Sequence, residues 1–180
     1  MDEIVKQAMA KWPNVPDCYG WLGLDARGHW YLRDAQVQAL GDFAQARGTR
    51  VEHEKLLAFI QRNYACDDRG CWFFQNGPQR VYVELEHTPW IWRVGADGAV
   101  QNQAGERDEA MQCLMDEQGR AYLVSPRGLG LVHSLDVAWV AQALEQGRWN
   151  LEEVNSEDLP ARFGFVRSPA SWVEGHAPSA

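Results

Sequence analysis

The sequence lacks any long apolar run. Its uncharged apolar stretches end after a few residues, which excludes a hydrophobic transmembrane helix. It has no basic run either. Seventeen Lys and Arg stand against 25 Asp and Glu, a formal net charge of −8, and that balance argues against non-specific nucleic-acid binding. The opening residues Met1-Asp2-Glu3-Ile4 are acidic and lack a signal-peptide apolar core. The expected location is therefore cytoplasmic, with neither membrane nor nucleic acid as partner. Catalytic signatures are missing as well: there is no Gly-x-Ser-x-Gly, no phosphate-binding Walker loop, no dinucleotide fingerprint and no His-Glu-x-x-His. His53-Glu54 is the nearest fragment, but Leu57 stands where the second histidine ligand belongs.

Cysteine is scarce. Cys18, Cys66, Cys71 and Cys113 are the four, and in a reducing compartment they are free thiols. Cys66 and Cys71 have a Cys-x4-Cys spacing with no second pair to complete a zinc site, so no metal and no cofactor is expected. Asp67 and Asp68 lie between them, and neighbouring acids raise a thiol pKa, which argues against a cysteine nucleophile. Asp-x-x-Gly turns recur along the chain, yet none supplies the alternating oxygen ligands and distal Glu of a calcium loop.

What is present is a chain of 180 residues, long enough to bury roughly 70% of the surface its unfolded form exposes. Nine tryptophans, each able to bury about 200 Å², exceed what one small core needs. The most informative stretch is Cys66 to Glu86. Asn76-Gly77 is a strong turn signal, and Cys71-Trp72-Phe73-Phe74 before it is a run of strand formers. After it, Val81, Val83 and Leu85 alternate with Arg80, Tyr82, Glu84 and Glu86, which predicts a strand with one buried and one solvated face. Upstream, Leu56, Leu57, Phe59 and Ile60 share one side of a helix predicted over 52–64, which packs on the sheet.

The remaining chain reads as hairpins and short helices. Residues 1–18 form an N-terminal helix and a Pro-rich lead-in, with Pro13 and Pro16 ending the helix. Asp25 to Gly28 turns between strands at 19–24 and 29–32, and 34–50 is a long loop with a helical turn near 36–43. Trp90 opens a further strand, and the polar stretch 102–109 marks the boundary between halves. Hairpins then run from Met111 to His133, followed by a helix over 135–146 with Val137, Val140, Ala141 and Leu144 on one face. Leu22 to Leu32 aligns on Cys113 to Leu123 without gaps, so the helix at 52–64 is expected to match that at 135–146. The predicted fold class is α+β: two related halves, each a small antiparallel sheet of hairpins with one packed helix. The first would span 19–104 and the second, shorter one 110–166, with 167–180 a loose C-terminal tail.

Candidate site residues cluster at the turn following the aromatic strand. Gln75, Asn76, Gln79 and Arg80 are polar and close together, flanked by Trp72, Tyr82 and Trp90. A polar loop on a rigid hairpin with adjacent aromatics is a place to bind a small ligand or a protein partner. The leading reading is a non-enzymatic binding or regulatory module. Its rival is a small hydrolase or transferase using Glu84, Glu86 and Arg80 in an aromatic pocket. A homo-oligomer with surplus tryptophans in its interface is a third reading.

Several stretches carry a resemblance: Lys11-Trp12-Pro13-Asn14-Val15-Pro16, Cys18-Tyr19-Gly20-Trp21-Leu22, His53-Glu54-Lys55-Leu56, Arg62-Asn63-Tyr64, Trp72 through Val83, and Pro89-Trp90. Their order resembles a bacterial family of conserved proteins of unknown function. The layout is also similar to a second uncharacterised family with repeated α+β motifs, for which a signalling role has been suggested. The resemblance implies the α+β fold and brings no catalytic residues.

Overall fold

The computed structural model describes residues 1–175. Its elements run α1 (Glu3–Lys11), β1 (Cys18–Leu24), β2 (Trp30–Leu32), α2 (Ala35–Gln38), β3 (Thr49–Arg50), α3 (Glu54–Arg62), β4 (Tyr64–Cys66), β5 (Trp72–Asn76) and β6 (Gln79–Leu85). There follow β7 (Trp90–Val94), β8 (Val100–Gln101), β9 (Arg107–Asp108), β10 (Gln112–Asp116), β11 (Ala121–Ser125) and β12 (Gly128–Val132). The chain continues as α4 (Val137–Glu145), β13 (Leu151–Val154), α5 (Leu159–Phe163) and α6 (Pro169–Gly175). Two compact units result. One holds residues 1–25, 29–86 and 165–175, and the other 26–28 and 87–164.

Each unit contains one sheet, so the fold is α+β with two sheets. Their orders are β3-β2-β1-β6-β5-β4 and β13-β10-β11-β12-β7-β8-β9. Neither is purely antiparallel, contrary to the expectation. β1 runs parallel to β6, β7 parallel to β12, and β10 parallel to β13. The two sheets share one pattern of connections: a three-stranded meander leaves the centre, and a second meander ends parallel beside its first strand. This places β10–β11 where β4–β5 stands, not where β1–β2 stands. The gapless match of 22–32 on 113–123 therefore joins strands in different positions. The helices differ in position as well, since α3 lies between the meanders of its sheet and α4 follows both.

Local turn chemistry sets the hairpins. At Asp67 one carboxylate oxygen accepts from the backbone N–H groups of Arg69 and Cys71 at 3.0 and 2.9 Å. The other accepts from the Arg69 guanidinium at 2.7 Å and the Tyr82 hydroxyl at 3.0 Å. Asp116 repeats the arrangement. It takes the N–H groups of Gln118 and Arg120, the Arg120 guanidinium at 2.6 Å and the Tyr122 hydroxyl at 2.8 Å. In each turn the glycine three residues on, Gly70 at φ 81° and Gly119 at φ 75°, adopts the left-handed conformation that closes it.

In the first unit the sheet is covered on both faces. Phe59 of α3 meets Phe74 edge-on at 5.4 Å on one. On the other, Tyr82, Phe73 and Cys71 form a cluster with Tyr19, Ala65 and Val166, and α6 packs on β6 and β1. The prediction of a solvated face on β6 therefore fails: Tyr82 and Glu84 are as buried as Val83 and Leu85. The cause is the segment after Gly164, which returns to this sheet. Val166 N–H donates to Gly70 O, and Leu85 N–H donates to Arg167 O. Where a loose tail was expected from 167, Pro169–Gly175 is helical; 176–180 lie outside the described residues.

Other differences are smaller. Within 34–50, Asp34 caps α2 by accepting from Val37 N–H at 2.9 Å, and β3 pairs with β2. The rest of that loop is drawn around buried Arg33, which donates to the carbonyls of Ala46, Gly41 and Gly20. Trp90–Val94 was expected in the first half but pairs with β12 in the second unit. Helix α4 buries Val140 and Ala143 and leaves Val137 and Ala141 exposed.

Asp116 illustrates the cost of losing one turn carboxylate. Burial works against its charged form and is outweighed by the Arg120 guanidinium, the turn amides and the Tyr122 hydroxyl, so its pKa lies below the ordinary value. Its stabilisation is present above the ordinary carboxylate pKa and is lost as pH falls through the lowered folded value. Asp116→Ala strands Arg120 and the turn amides, and is expected to cost about 3 kcal/mol at pH 7. Urea unfolding of both proteins at pH 7 checks it, and a loss below about 0.5 kcal/mol would refute the role given to this carboxylate.

Candidate functional site

The predicted turn lies beside the Pro-rich lead-in. A Cβ at Gly77 would come to 4.0 Å from Ala8 of α1, and the Gln79 side-chain amide donates to Pro16 O at 3.1 Å. Asp2 ties the start of α1 to the end of α3, where it meets the Arg62 guanidinium at 3.2 Å and its N–H donates to Asn63 Oδ1. Between the lead-in and the turn lies a cleft of about 280 Å³. Met9, Trp12, Pro13, Val15 and Pro78 form its apolar walls, and Asp17, Gln75 and Arg80 its polar groups.

Gln75 is the unusual member. It is 1% exposed. Its Nε2 donates to Gly77 O at 3.0 Å, which fixes the amide orientation because a carbonyl only accepts. Its Oε1 is buried and has no hydrogen-bond partner in the protein. Arg80 lies over the Phe73 ring at 4.8 Å, and Lys11 sits over the Trp12 ring at 4.5 Å.

The other predicted residues are dispersed. Asn76 is exposed at the end of β5. Trp72 is half-buried at the opposite end of that strand, its ring 4.7 Å from Tyr64. Tyr82 is fully buried, stacked on Tyr19 at 4.5 Å and bonded to Asp67. Trp90 belongs to the second unit, where its indole donates to Arg127 O. The turn thus contributes Gln75 and Arg80 to the cleft. Sequence reasoning about the site passed over Met9, Trp12, Pro13, Val15 and Asp17. The available signal was Trp12 itself, an aromatic beside two prolines with no strand to bury it.

The carboxylates of the rival reading do not meet Arg80. Glu84 lines a second cleft of about 270 Å³ with Arg33, Asp42 and Ser168 among its walls. It accepts from the Ser168 hydroxyl and from Ala170 N–H at 3.1 Å. Glu86 accepts from Arg47 at 2.5 Å. The thiols are equally unsuited to attack. Burial, then Asp67, pushes Cys66 up to about 11, and Cys71 reaches about 11 for the same reasons. No cluster of three or more His, Cys, Asp or Glu able to hold a metal occurs among the described residues. Nor, among them, is any helix long and apolar enough to cross a membrane.

Two mixed sheets with short helices define an α+β protein. Residues 1–170 match the family DUF2944, described as "Protein of unknown function (DUF2946)", and the chain belongs to that family. A family of unknown function is what the resemblance implied. No curated protein matches the chain. A crystal structure of a DUF1285 family protein from Silicibacter pomeroyi is similar over 79% of this chain and 84% of that one, with 11% identity and a TM-score of 0.49.

Glu84 yields a pH prediction. Burial pushes its carboxyl above the ordinary value, against the Ser168 hydroxyl and the Ala170 N–H, which favour the charged form. Its contribution to stability is therefore full below the ordinary carboxylate pKa of about 4.3 and is lost as pH rises through the raised folded value. Glu84→Gln keeps an acceptor for Ala170 and cannot ionise. Its stability relative to the parent should grow between pH 4 and pH 7, as read by chemical denaturation at both. A relative stability that falls over that interval would contradict the assignment.

Proposed function

We propose that this protein is a non-enzymatic binding module whose ligand occupies the cleft between the Pro-rich lead-in and the Gln75–Arg80 turn. The observation that supports the reading is that Gln75, whose buried Oε1 has no hydrogen-bond partner, is one of the residues lining that cleft. A buried acceptor without a donor costs about 1–3 kcal/mol, and a ligand N–H or O–H reaching it would recover much of that. Apolar walls with a few polar groups are the usual makeup of a ligand site. Against the enzymatic reading stands the separation of its parts, since Glu84 and Glu86 are held by Ser168, Ala170 and Arg47 while Arg80 lines the other cleft. A regulatory role in the cytoplasm is part of the proposal.

Two measurements test it. A fragment screen followed by protein NMR should move the Gln75 side-chain amide and the Trp12 indole together. A screen of several hundred diverse fragments that moves neither would refute the reading. In Gln75→Leu the unpartnered acceptor is gone, so the unfolding free energy should stay level or rise by about 1 kcal/mol. Binding of any cleft fragment should weaken about tenfold, the equivalent of one hydrogen bond. A destabilisation above about 2 kcal/mol would mean that Gln75 serves the fold and not a ligand.

A further inference from the structure

Resting on that reading of the cleft, we propose that its ligand is a free α-amino acid with an apolar side chain. The polar groups of the cleft are one cation, one anion and one neutral acceptor: Arg80, Asp17 and Gln75. An α-amino acid presents their complement, a carboxylate and an ammonium on one carbon.

Arg80 is suited to the carboxylate. Its guanidinium lies over the Phe73 ring and hydrogen-bonds the Tyr82 side chain; a guanidinium has five N–H donors, so others remain for a planar, bidentate acceptor. Lys11, over the Trp12 indole, adds a second cation next to the cleft. The ammonium needs an acceptor, and the exposed Asp17 carboxylate supplies it; the unpartnered Gln75 Oε1 lies behind the lining and would be reached only if the Gln75 side chain turned toward the ligand. A plain carboxylic acid would leave Asp17 unanswered, and a plain amine would leave Arg80 unmatched. Trp12, Met9 and Val15 offer apolar surface for the side chain.

Size selects a single amino acid over a longer peptide. At about 280 Å³ the cleft is just under the range of ligand pockets, roughly 300–1,000 Å³.

The test titrates four probes into the full chain and follows the Trp12 indole and the Gln75 amide by NMR. The probes are L-phenylalanine, N-acetyl-L-phenylalanine amide, 2-phenylethylamine and 3-phenylpropanoate. L-phenylalanine should bind at least tenfold more tightly than each analogue lacking one or both charges. Arg80→Gln should weaken L-phenylalanine at least tenfold and leave 2-phenylethylamine unchanged. Asp17→Asn should likewise weaken L-phenylalanine, and leave 3-phenylpropanoate unchanged. Equal or tighter binding of a singly charged or neutral analogue at these two reporters overturns the amino-acid assignment and leaves the binding reading standing. So does silence from all four probes when other fragments move the same reporters. Silence from the four probes and the fragment screen together overturns both.

Discussion

An aspartate carboxylate at the head of a hairpin is the interaction on which each sheet depends. Asp67 and Asp116 each answer two backbone N–H groups, an arginine and a tyrosine hydroxyl from the strands. Asp25 does related work, accepting from His29 N–H at 2.8 Å and from the Tyr31 hydroxyl at 3.2 Å. A carboxylate so engaged fixes the length of the turn, and the length of the turn fixes register. Because strand side chains alternate faces, a slip of one residue would turn every buried side chain outward. Charge-assisted bonds at the turn therefore govern what the sheet buries several residues away.

The second constraint acts over a longer range. The central strands β1 and β6 are parallel, and a parallel pair needs a crossover and does not close by a hairpin. In the first unit the meanders and α3 provide it. Parallel strands at the centre of a sheet favour cover on both faces, and here the cover comes from α3 on one side and the returning segment 165–175 on the other. That return explains the fate of the alternating strand β6. Its Arg80-Tyr82-Glu84 side is not a solvated face. Tyr82 enters a cluster with Val166, and Glu84 becomes the acceptor at the start of α6. The same return gives Glu84 its partners Ser168 and Ala170, and Glu84 lines a different cleft from Gln75 and Arg80.

The candidate cleft shows the same division between local and distant causes. Gln75 and Arg80 were legible because a polar turn on an aromatic hairpin is a local pattern. Trp72 and Tyr82 fitted that pattern equally well, yet strand geometry carries Trp72 to the far end of β5 and burial claims Tyr82. The opposite wall, with Met9, Trp12, Val15 and Asp17, lies some sixty residues away along the chain. It is brought in by α1, whose docking depends on Asp2 meeting Arg62 and Asn63 and on Gln79 reaching Pro16 O. No short-range pattern announces contacts of that separation.

By itself the sequence determined the hairpins, the amphipathic helix upstream of the aromatic strand, the Asp-x-x-Gly turns and the α+β class. Each follows from turn residues and periodicity acting over fewer than about fifteen residues. Only the tertiary structure decided the parallel seams, the assignment of Trp90–Val94 to the second sheet, the burial of Glu84 and the apolar wall facing Gln75. These rest on pairings between segments distant in sequence. Their free energy comes from burying surface that already looks complete as a local pattern, so the pattern holds no mark of which partner will cover it.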